Sequence, residues 1–434
     1  MGSYSYLEIG GYPLWSTKYG VDPAIMTLFR ESDKKIYERR IADRNRLIWG
    51  VDTQAGDDTE TVYEYSICAE HAAQRLDVMG FTLSKAKEQF DMGVKARVDD
   101  IAVDLLVPEI LRVERGKEAR LLSQYNFVKW MDTFRLLVEK RLVPWMNSSE
   151  ERKLSPLLRY VLDIDGGFYH GFPVSDIRYF LRAVLEIFDS TDKVVLDITE
   201  LVRAGEYEDT EELSKIVIAE FSEQYVASSA IIVLTEGATD TRILSETLSL
   251  LYPHLSEYYS FLDFGLSNME GGAANLVRIV RAFMGAGVVN RIIAVFDNDT
   301  AAQDAMKGLD ALDMPKNIVT MHYPPIAYAN NYPTIGPQGS KNMNVNGLAG
   351  SLELYFGEDV LKTDNHEFTP ILWKGYNQSL KQYQGEIDNK SKLQSSYLRK
   401  VQKCRENRDN LLKYDWSAMR SIFETIFKAF SETQ

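Results

Sequence analysis

Three acidic residues follow two unbroken apolar runs, and their types and spacing suit a site that binds divalent metal ions and phosphate. The run at 230–234 is followed by Glu236, and the run at 292–296 is followed by Asp297 and Asp299. Runs that are apolar on both faces suit parallel strands covered by helices, and such sheets place their chemistry at the carboxyl ends of the strands. We therefore expect these carboxylates to meet at one edge of a sheet.

The spacing of Asp297 and Asp299 would let both side chains reach the same cation. If the backbone stays extended through Asn298, the two carboxylates lie on one side of it. Such close carboxylates raise each other's pKa unless a cation compensates them. Mg²⁺ and Mn²⁺ prefer oxygen ligands, and two ions about 4 Å apart stabilise the attacking and leaving oxygens of a phosphodiester transfer. An isolated D-x-D is more often a solvated turn. Here, however, Glu236 and the D-x-D each follow a strand candidate, and a third strand candidate at 259–264 lies between them, which favours the metal site.

Three motifs follow one another along residues 228–326: E-G-x-x-D from Glu236, E-G-G from Glu270 and D-x-D from Asp297. In this order they resemble the Toprim domain of topoisomerases, primases and OLD-type nucleases. The resemblance implies an acid/base or metal-binding role for Glu236 and metal ligation by Asp297 and Asp299. It also implies that Asp240 is a ligand of a second metal ion.

Two later features are similar to the parts that complete OLD-type sites. A glutamate on a Leu-Glu element corresponds to Glu353, which could instead be a first-turn helix acid. A late lysine that stabilises phosphate charge corresponds to Lys390 or Lys392, and either could be a surface lysine.

Short stretches at 3–10 and 194–201, together with the order of domains, resemble the bacterial HEPN/Toprim-associated family. That resemblance implies a role in biological conflict, chiefly defence against phage. A HEPN ribonuclease needs an Arg with a His a few residues later, and none of the five His residues has such an Arg before it. Nuclease chemistry is therefore expected from the Toprim stretch.

The predicted architecture has three parts. Residues 1–227 form a largely helical region with a small β element, with helices expected at 84–107, 127–142, 176–188 and 210–225. Residues 228–326 form an α/β Toprim core, a mostly parallel sheet between helices, with helices at about 240–251 and 275–284. Residues 327–434 form a flexible loop and a helical extension that completes the site and ends in an amphipathic helix at 416–430.

The stretch 324–350 is rich in Pro, Tyr, Asn and Gly, which predicts a loop that is either mobile or functional. If it closes over substrate, Tyr328, Tyr332 and Lys341 could contact bases or phosphates. The Gly271-Gly272 turn could receive a phosphate at the start of the following helix, or it could simply permit a tight turn.

The net charge of −14 in 434 residues is unfavourable for a nucleic-acid coat, but segment 377–413 carries nine basic residues against four acidic ones, a local charge of +5. This segment is a candidate phosphate-facing surface or an ordinary solvated helix. The residues predicted to bind nucleic acid are Arg278, Arg281, Lys341, Lys381, Arg399 and Lys400.

The chain shows no apolar stretch long enough to span a bilayer and no signal-peptide pattern, which predicts a cytoplasmic protein. It has only two Cys, so neither a disulfide framework nor a zinc site is expected. It has no P-loop, so no ATPase activity of its own is expected. The predicted function is an Mg²⁺- or Mn²⁺-dependent endonuclease acting on DNA or RNA, with two ions, in phage defence. The alternatives are a noncatalytic Toprim sensor and a primase- or topoisomerase-like enzyme. A regulatory protein partner, a phage trigger and a homo-oligomer all stay open.

Overall fold

The computed structural model describes residues 2–50, 57–103, 109–145, 151, 153–163, 168–224, 229–262, 271–310, 312–363 and 365–431. Backbone contacts divide the chain into two compact units, Met1–Ser228 and Ser229–Gln434. No helix in the described part of the chain is long and apolar enough to cross a membrane.

An antiparallel sheet with the strand order β2-β1-β5-β4-β3 organises the first unit. Its strands are β1 (Tyr4–Ile9), β2 (Tyr12–Lys18), β3 (Lys34–Arg40), β4 (Thr59–Cys68) and β5 (Lys193–Asp197). The small β element expected near the amino terminus is therefore part of a larger sheet, because β5 enters between β1 and β4 from far along the chain. Local patterns do not reveal such a pairing, since it joins segments more than a hundred residues apart.

Helices make up most of the remaining first unit. They are α1 (Pro23–Met26), α2 (Arg46–Trp49), α3 (Ala69–Met79), α4 (Leu83–Val103), α5 (Glu109–Leu122), α6 (Phe127–Glu139), α7 (Pro156–Leu162), α8 (Ile177–Val184), α9 (Thr199–Arg203) and α10 (Leu213–Gln224), with 3₁₀ turns at Glu31–Asp33, Ile41–Asp43 and Leu185–Ile187.

The helices predicted in this unit are confirmed, with shifted ends. The helix expected at 84–107 is α4, and its predicted last residues, 104–107, lie outside the described residues. Asp176 caps α8 as expected, because its carboxylate accepts the Arg178 N–H at 3.0 Å. The helix expected from 210 begins at Leu213, and Tyr225, its predicted end, also lies outside the described residues.

Aromatic side chains fill the helical core of the first unit. The Trp130 ring of α6 lies 4.7 Å from the Phe172 ring and is stacked on Phe134 at 5.5 Å. The Trp130 indole N–H donates to the His170 carbonyl at 3.0 Å, so its polar end is satisfied.

A parallel sheet with the strand order β10-β8-β6-β7 is the centre of the second unit. The strands are β6 (Ile231–Leu234), β7 (Tyr259–Phe261), β8 (Ile292–Phe296) and β10 (Ile318–His322). Every residue of β8 is buried, as expected for a strand that is covered on both faces. The predicted parallel sheet is confirmed.

The described part of the second unit also contains six helices. They are α11 (Ala238–Leu251), α12 (Ala273–Gly285), α13 (Thr300–Asp310), α14 (Glu358–Leu361), α15 (Lys390–Glu406) and α16 (Ser417–Lys428), with 3₁₀ turns at Pro253–Tyr258, Tyr328–Asn331, Leu352–Tyr355 and Arg408–Lys413. Leu276 and Val280 of α12 share one buried cluster with Ile292 and Phe296 of β8, which fixes this helix against the sheet.

The expectation of a flexible loop at 324–350 is wrong. This stretch holds β11 (Tyr332–Gly336), β12 (Gly339–Met343) and β13 (Ala349–Gly350). β11 and β12 join β14 (Ile371–Asn377) and β15 (Gln382–Ile387) in a second sheet of order β12-β11-β14-β15. Gly and Pro suggested a loop because they are rare inside strands, but here most of them lie at strand ends and turns, and only Pro333 lies within a described strand. The carboxy-terminal segment is therefore not wholly helical.

Candidate functional site

Glu236 lies where the carboxyl end of β6 meets the first turn of α11. Its carbonyl accepts the Gly272 N–H at 2.6 Å, and its Oε1 accepts the Asp297 N–H at 2.9 Å. A Cβ on Gly271 would stand 3.0 Å from the Glu236 carbonyl oxygen, and Gly272 has φ +105°. The predicted glycine turn therefore packs on the backbone of Glu236; Glu270, the first residue of the motif, lies outside the described residues.

Asp297 and Asp299 follow β8 at the same edge. The Asp299 Oδ1 accepts the Ala302 N–H at 2.8 Å and so caps α13, whereas Asp297 Oδ1 is buried and has no hydrogen-bond partner among the described residues. His322 Nδ1 lies 2.8 Å from the Asp297 carbonyl oxygen. A carbonyl only accepts, so this ring nitrogen carries the proton.

Residues Asn298–Asp299 form a short strand, β9, that pairs with β13 and brings Glu353 to this edge. Gly350 lies opposite Asn298, and a Cβ at Gly350 would stand 2.5 Å from the Asn298 carbonyl oxygen. The glycine is therefore needed for the close approach. Three residues later Glu353 is fully buried in its 3₁₀ turn.

The Glu353 carboxylate is enclosed by hydrogen-bond donors. Ser351 Oγ donates to its Oε2 at 2.7 Å, Gln394 Nε2 donates to its Oε1 at 2.6 Å, and Lys390 Nζ lies 3.2 Å from Oε2. Lys390 is the first residue of α15. Of the two late lysines proposed from the sequence, Lys390 therefore reaches the acidic cluster, whereas Lys392 is exposed.

Lys390 is the main positive charge in this cluster. Burial alone would lower the pKa of Lys390, but the nearby carboxylates of Glu353, Asp297 and Asp240 outweigh it and raise the pKa well above its usual value. The structure thus brings together all five acidic residues predicted from the sequence, with one lysine among them. We refer to Glu236, Asp240, Asp297, Asp299, Glu353 and Lys390 as the acidic cluster.

The acidic side chains are poorly compensated. Burial and repulsion by Asp299 and Asp240 raise the pKa of Glu236 to about 7, although the Asp297 N–H opposes this rise. Burial and the charge of Glu353 raise the pKa of Asp240 to about 7. Burial and the neighbouring acids raise the pKa of Asp297 well above its usual value. These carboxyl groups are therefore more easily protonated than free ones, and a cation bound at this edge would relieve their repulsion.

The donor set fits a hard divalent cation in its chemistry. The buried Oδ1 of Asp297 has no hydrogen-bond partner among the described residues, the carboxylates of Glu236, Asp240 and Asp299 interact with Asp297, and Mg²⁺ and Mn²⁺ favour such oxygen ligands. Across the described residues, however, no group of three or more His, Cys, Asp or Glu side chains is arranged to hold a metal ion. Rotation of these side chains, and release of Glu353 from Lys390, would be needed for a shared ion.

Two residues predicted to bind nucleic acid have structural roles. Lys400 is 3% exposed, and its Nζ donates to the carbonyls of Phe356 and Asp415 and to the Asp359 carboxylate. Arg281 is exposed, but its guanidinium donates to the Gly308 carbonyl and thus links α12 to α13. The prediction for Lys400 is wrong, because its ammonium group is buried and binds its partners inside the fold.

The other predicted contacts remain exposed. Arg278 lies on α12 with a bond to Asn275, Lys341 on β12, Lys381 in the turn between β14 and β15, and Arg399 on α15. Neither tyrosine proposed to contact substrate is exposed: Tyr332 is fully buried, and the Tyr328 hydroxyl donates to the Leu354 carbonyl inside the fold.

Several site residues were not predicted from the sequence. Ser351, Gln394 and His322 contact the cluster, and Tyr376 and Tyr383 form an exposed aromatic pair whose rings lie 5.2 Å apart. Only Ser351 carried a local signal, because it directly precedes the Leu-Glu element. The others reach the site through strand order and helix placement.

The buried carboxylates of this parallel α/β unit lie at the carboxyl ends of its strands, where open sheets of this class place their ligand sites. The model of the family HEPN/Toprim N-terminal domain 1 matches residues 1–220, about half of the chain, and the chain belongs to this family. Membership indicates a nuclease-related role. No curated protein and no solved structure matches the chain.

Proposed function

We propose that the second unit is a Toprim nuclease domain that hydrolyses phosphodiester bonds of DNA or RNA with bound Mg²⁺ or Mn²⁺. The observation that carries this proposal is the convergence of five carboxylates and Lys390 at one edge of a parallel sheet. A purely structural cluster would be expected to neutralise its charges, as buried ion pairs normally do.

In this proposal Glu236, Asp297 and Asp299 would hold one ion, and Asp240 with Glu353 would contribute to a second. Bound divalent ions would supply charge neutralisation at phosphate and a more acidic attacking water. Glu236, whose pKa lies near 7, is suited to accept the proton of that water. Lys390 would leave Glu353 and donate to a phosphate oxygen as negative charge develops there.

We include in the proposal the setting that the resemblance to HEPN/Toprim-associated proteins implies, a cytoplasmic effector of phage defence that is held silent until a phage product or a regulatory protein releases it. The closed arrangement around Glu353 is compatible with such control, because its carboxylate is already fully hydrogen-bonded.

One observation favours a second candidate, a noncatalytic sensor. The described residues contain no group of side chains already arranged as metal ligands, and Glu353 is saturated by neighbours. Calorimetric titration with Mn²⁺ separates the two. Binding that is lost in Asp297→Asn supports the nuclease, whereas no binding together with tight capture of a partner supports the sensor.

The direct test incubates the protein with plasmid, linear DNA and total RNA in Mn²⁺, in parallel with Glu236→Gln. We expect cleavage of at least one substrate by the wild type and none by the variant. Equal cleavage by both proteins would exclude the proposed mechanism.

A further inference from the structure

A basic cavity of about 400 Å³ lies beside the acidic cluster on the exposed side of α15. Its lining includes four cationic side chains apart from the buried Lys400: Lys362, Lys392, Arg399 and Lys403. Asn389, which directly precedes Lys390 of the cluster, is also part of the wall. The cavity therefore begins at the helix end that carries the cluster lysine. We call it the α15 cavity.

Three of these cations have no carboxylate partner. Within the described residues, Lys392, Arg399 and Lys403 make no ion pair, and Arg399 donates only to the Ser395 carbonyl and the Ser396 hydroxyl. Lys362 pairs with Glu358, and the single acid of the lining, Asp359, is held by Lys400. Positive charge is thus left facing the cavity, in a chain whose net charge is −14.

The unpaired cations form a line. Lys392, Ser396, Arg399 and Lys403 are spaced four, three and four residues apart, which places them on one face of α15. At 1.5 Å per residue the line is about 16 Å long, which corresponds to about five nucleotides at the 3.4 Å axial rise per nucleotide of one strand of a duplex. All three cations are exposed, so they can follow an extended ligand rather than enclose a compact one.

The buried Lys400 fixes the helix that carries these cations. Its ammonium donates to the Phe356 and Asp415 carbonyls and lies 4.3 Å from the Trp416 ring, so α15 is fixed against the segments on either side. The exposed cations therefore stand on a rigid helix, and this reduces the entropy that is lost when they bind.

We propose that the α15 cavity binds successive phosphate groups of a nucleic-acid strand and guides that strand to the acidic cluster. This inference rests on the proposed function for the identity of the strand as substrate. A free nucleotide offers the same phosphate chemistry, but the linear arrangement of exposed cations favours the strand.

The test measures binding without cleavage. A fluorescein-labelled single strand about 20 nucleotides long is titrated in EDTA with wild type, with Lys392→Glu/Arg399→Glu and with the milder Lys392→Gln/Arg399→Gln. We expect about tenfold weaker binding for the Glu pair and about threefold for the Gln pair. The slope of log affinity against log salt should fall in magnitude by about 1.4 for two lost phosphate contacts.

The matched control is Lys316→Glu/Lys428→Glu, which makes the same change in charge. Lys316 is exposed and precedes the amino end of β10, and Lys428 is exposed and follows Phe427, whose ring lies 5.7 Å from Tyr259 at the amino end of β7. Both lie toward the sheet edge opposite the acidic cluster. The control should bind as the wild type does.

The proposal is overturned if the Glu pair binds as tightly as this control, or if the wild type binds no strand. It is also overturned if uridine monophosphate or inorganic phosphate binds the cavity at micromolar concentration while strand binding survives the Glu substitutions. If the wild type cuts no substrate but the Glu pair still binds the strand more weakly than the wild type, strand binding by the α15 cavity is supported and the proposed nuclease function is rejected.

Discussion

Both units bury carboxylate charge, a single carboxylate among arginines in the first and a cluster of acids in the second, and they treat this charge in opposite ways. In the first unit Glu60 is almost fully buried and lies within 2.8 Å of guanidinium nitrogens from Arg39, Arg44 and Arg203. Burial alone would raise its pKa, but the hydrogen bonds from Arg44 and Arg39 lower the pKa of Glu60 to about 2. In the second unit Asp297 has no such partner, and its pKa is raised.

The difference separates a cluster that stabilises the fold from one that is suited to chemistry. A carboxylate that is matched by arginines gains little from a further cation and holds neighbouring strands together. A crowded set of carboxylates with one lysine costs stability, and strongly perturbed acids in a cleft are the usual mark of a functional site.

The largest expected effect concerns the unmatched cluster. Asp297→Asn removes one charge with little change in shape, and we expect cleavage to fall by about a hundredfold to ten-thousandfold. Because repulsion is relieved, the melting temperature should not fall. Asp310→Asn, an exposed acid at the end of α13, is the matched control and should keep full activity. An Asp297→Asn protein that cuts as fast as this control would remove the distinction between the two clusters.

The matched cluster should respond in stability instead. Glu60→Gln leaves three arginines without their shared carboxylate, and we expect the free energy of unfolding of the first unit to fall by about 2 to 3 kcal/mol at pH 7. Denaturant titration measures this loss, with the exposed Glu38→Gln as the control.

The pH dependence of that loss checks its origin. The folded pKa of Glu60 is lowered, so its contribution is complete above the unfolded value and disappears as pH falls through about 2. A deficit in Glu60→Gln that does not shrink in acid would point to altered packing rather than to lost charge pairing.

A third acid, Glu8, shows whether the pKa of a buried carboxyl group depends on the charge of its hydrogen-bond donor or on the unit in which it lies. Glu8 also lies in the first unit, but its hydrogen-bond donor is the neutral Asn45 amide at 2.6 Å, and burial raises the pKa of Glu8 to about 7. Its stabilising contribution is therefore present below the unfolded pKa of 4.5 and lost as pH rises through about 7.

Glu8→Gln should match the wild type near pH 4 and exceed it near pH 8 by up to about 3 kcal/mol, because the variant has no buried charge to form. Unfolding free energies across that range measure the effect. A variant that is less stable than the wild type at pH 8 would contradict this assignment.

Local patterns were sufficient for the centre of the second unit. The apolar runs before Glu236 and Asp297 are β6 and β8, and the helices expected at about 240–251 and 275–284 are α11 and α12. Such runs need no distant information, since a strand covered on both faces must be apolar throughout. The same reasoning failed at 324–350, where turn residues concealed β11, which pairs with β14, and β12, which pairs with β11.

The sequence by itself determined which acids end the buried strands, in what order, and that the chain offers a basic segment late in the unit. Only the tertiary structure decided that Lys390 rather than Lys392 meets Glu353, that Lys400 is buried, and that β5 completes the first sheet. The reason is physical. Strand ends and helix faces follow from the period of neighbouring residues, whereas burial and pairing depend on segments that meet only when the chain folds.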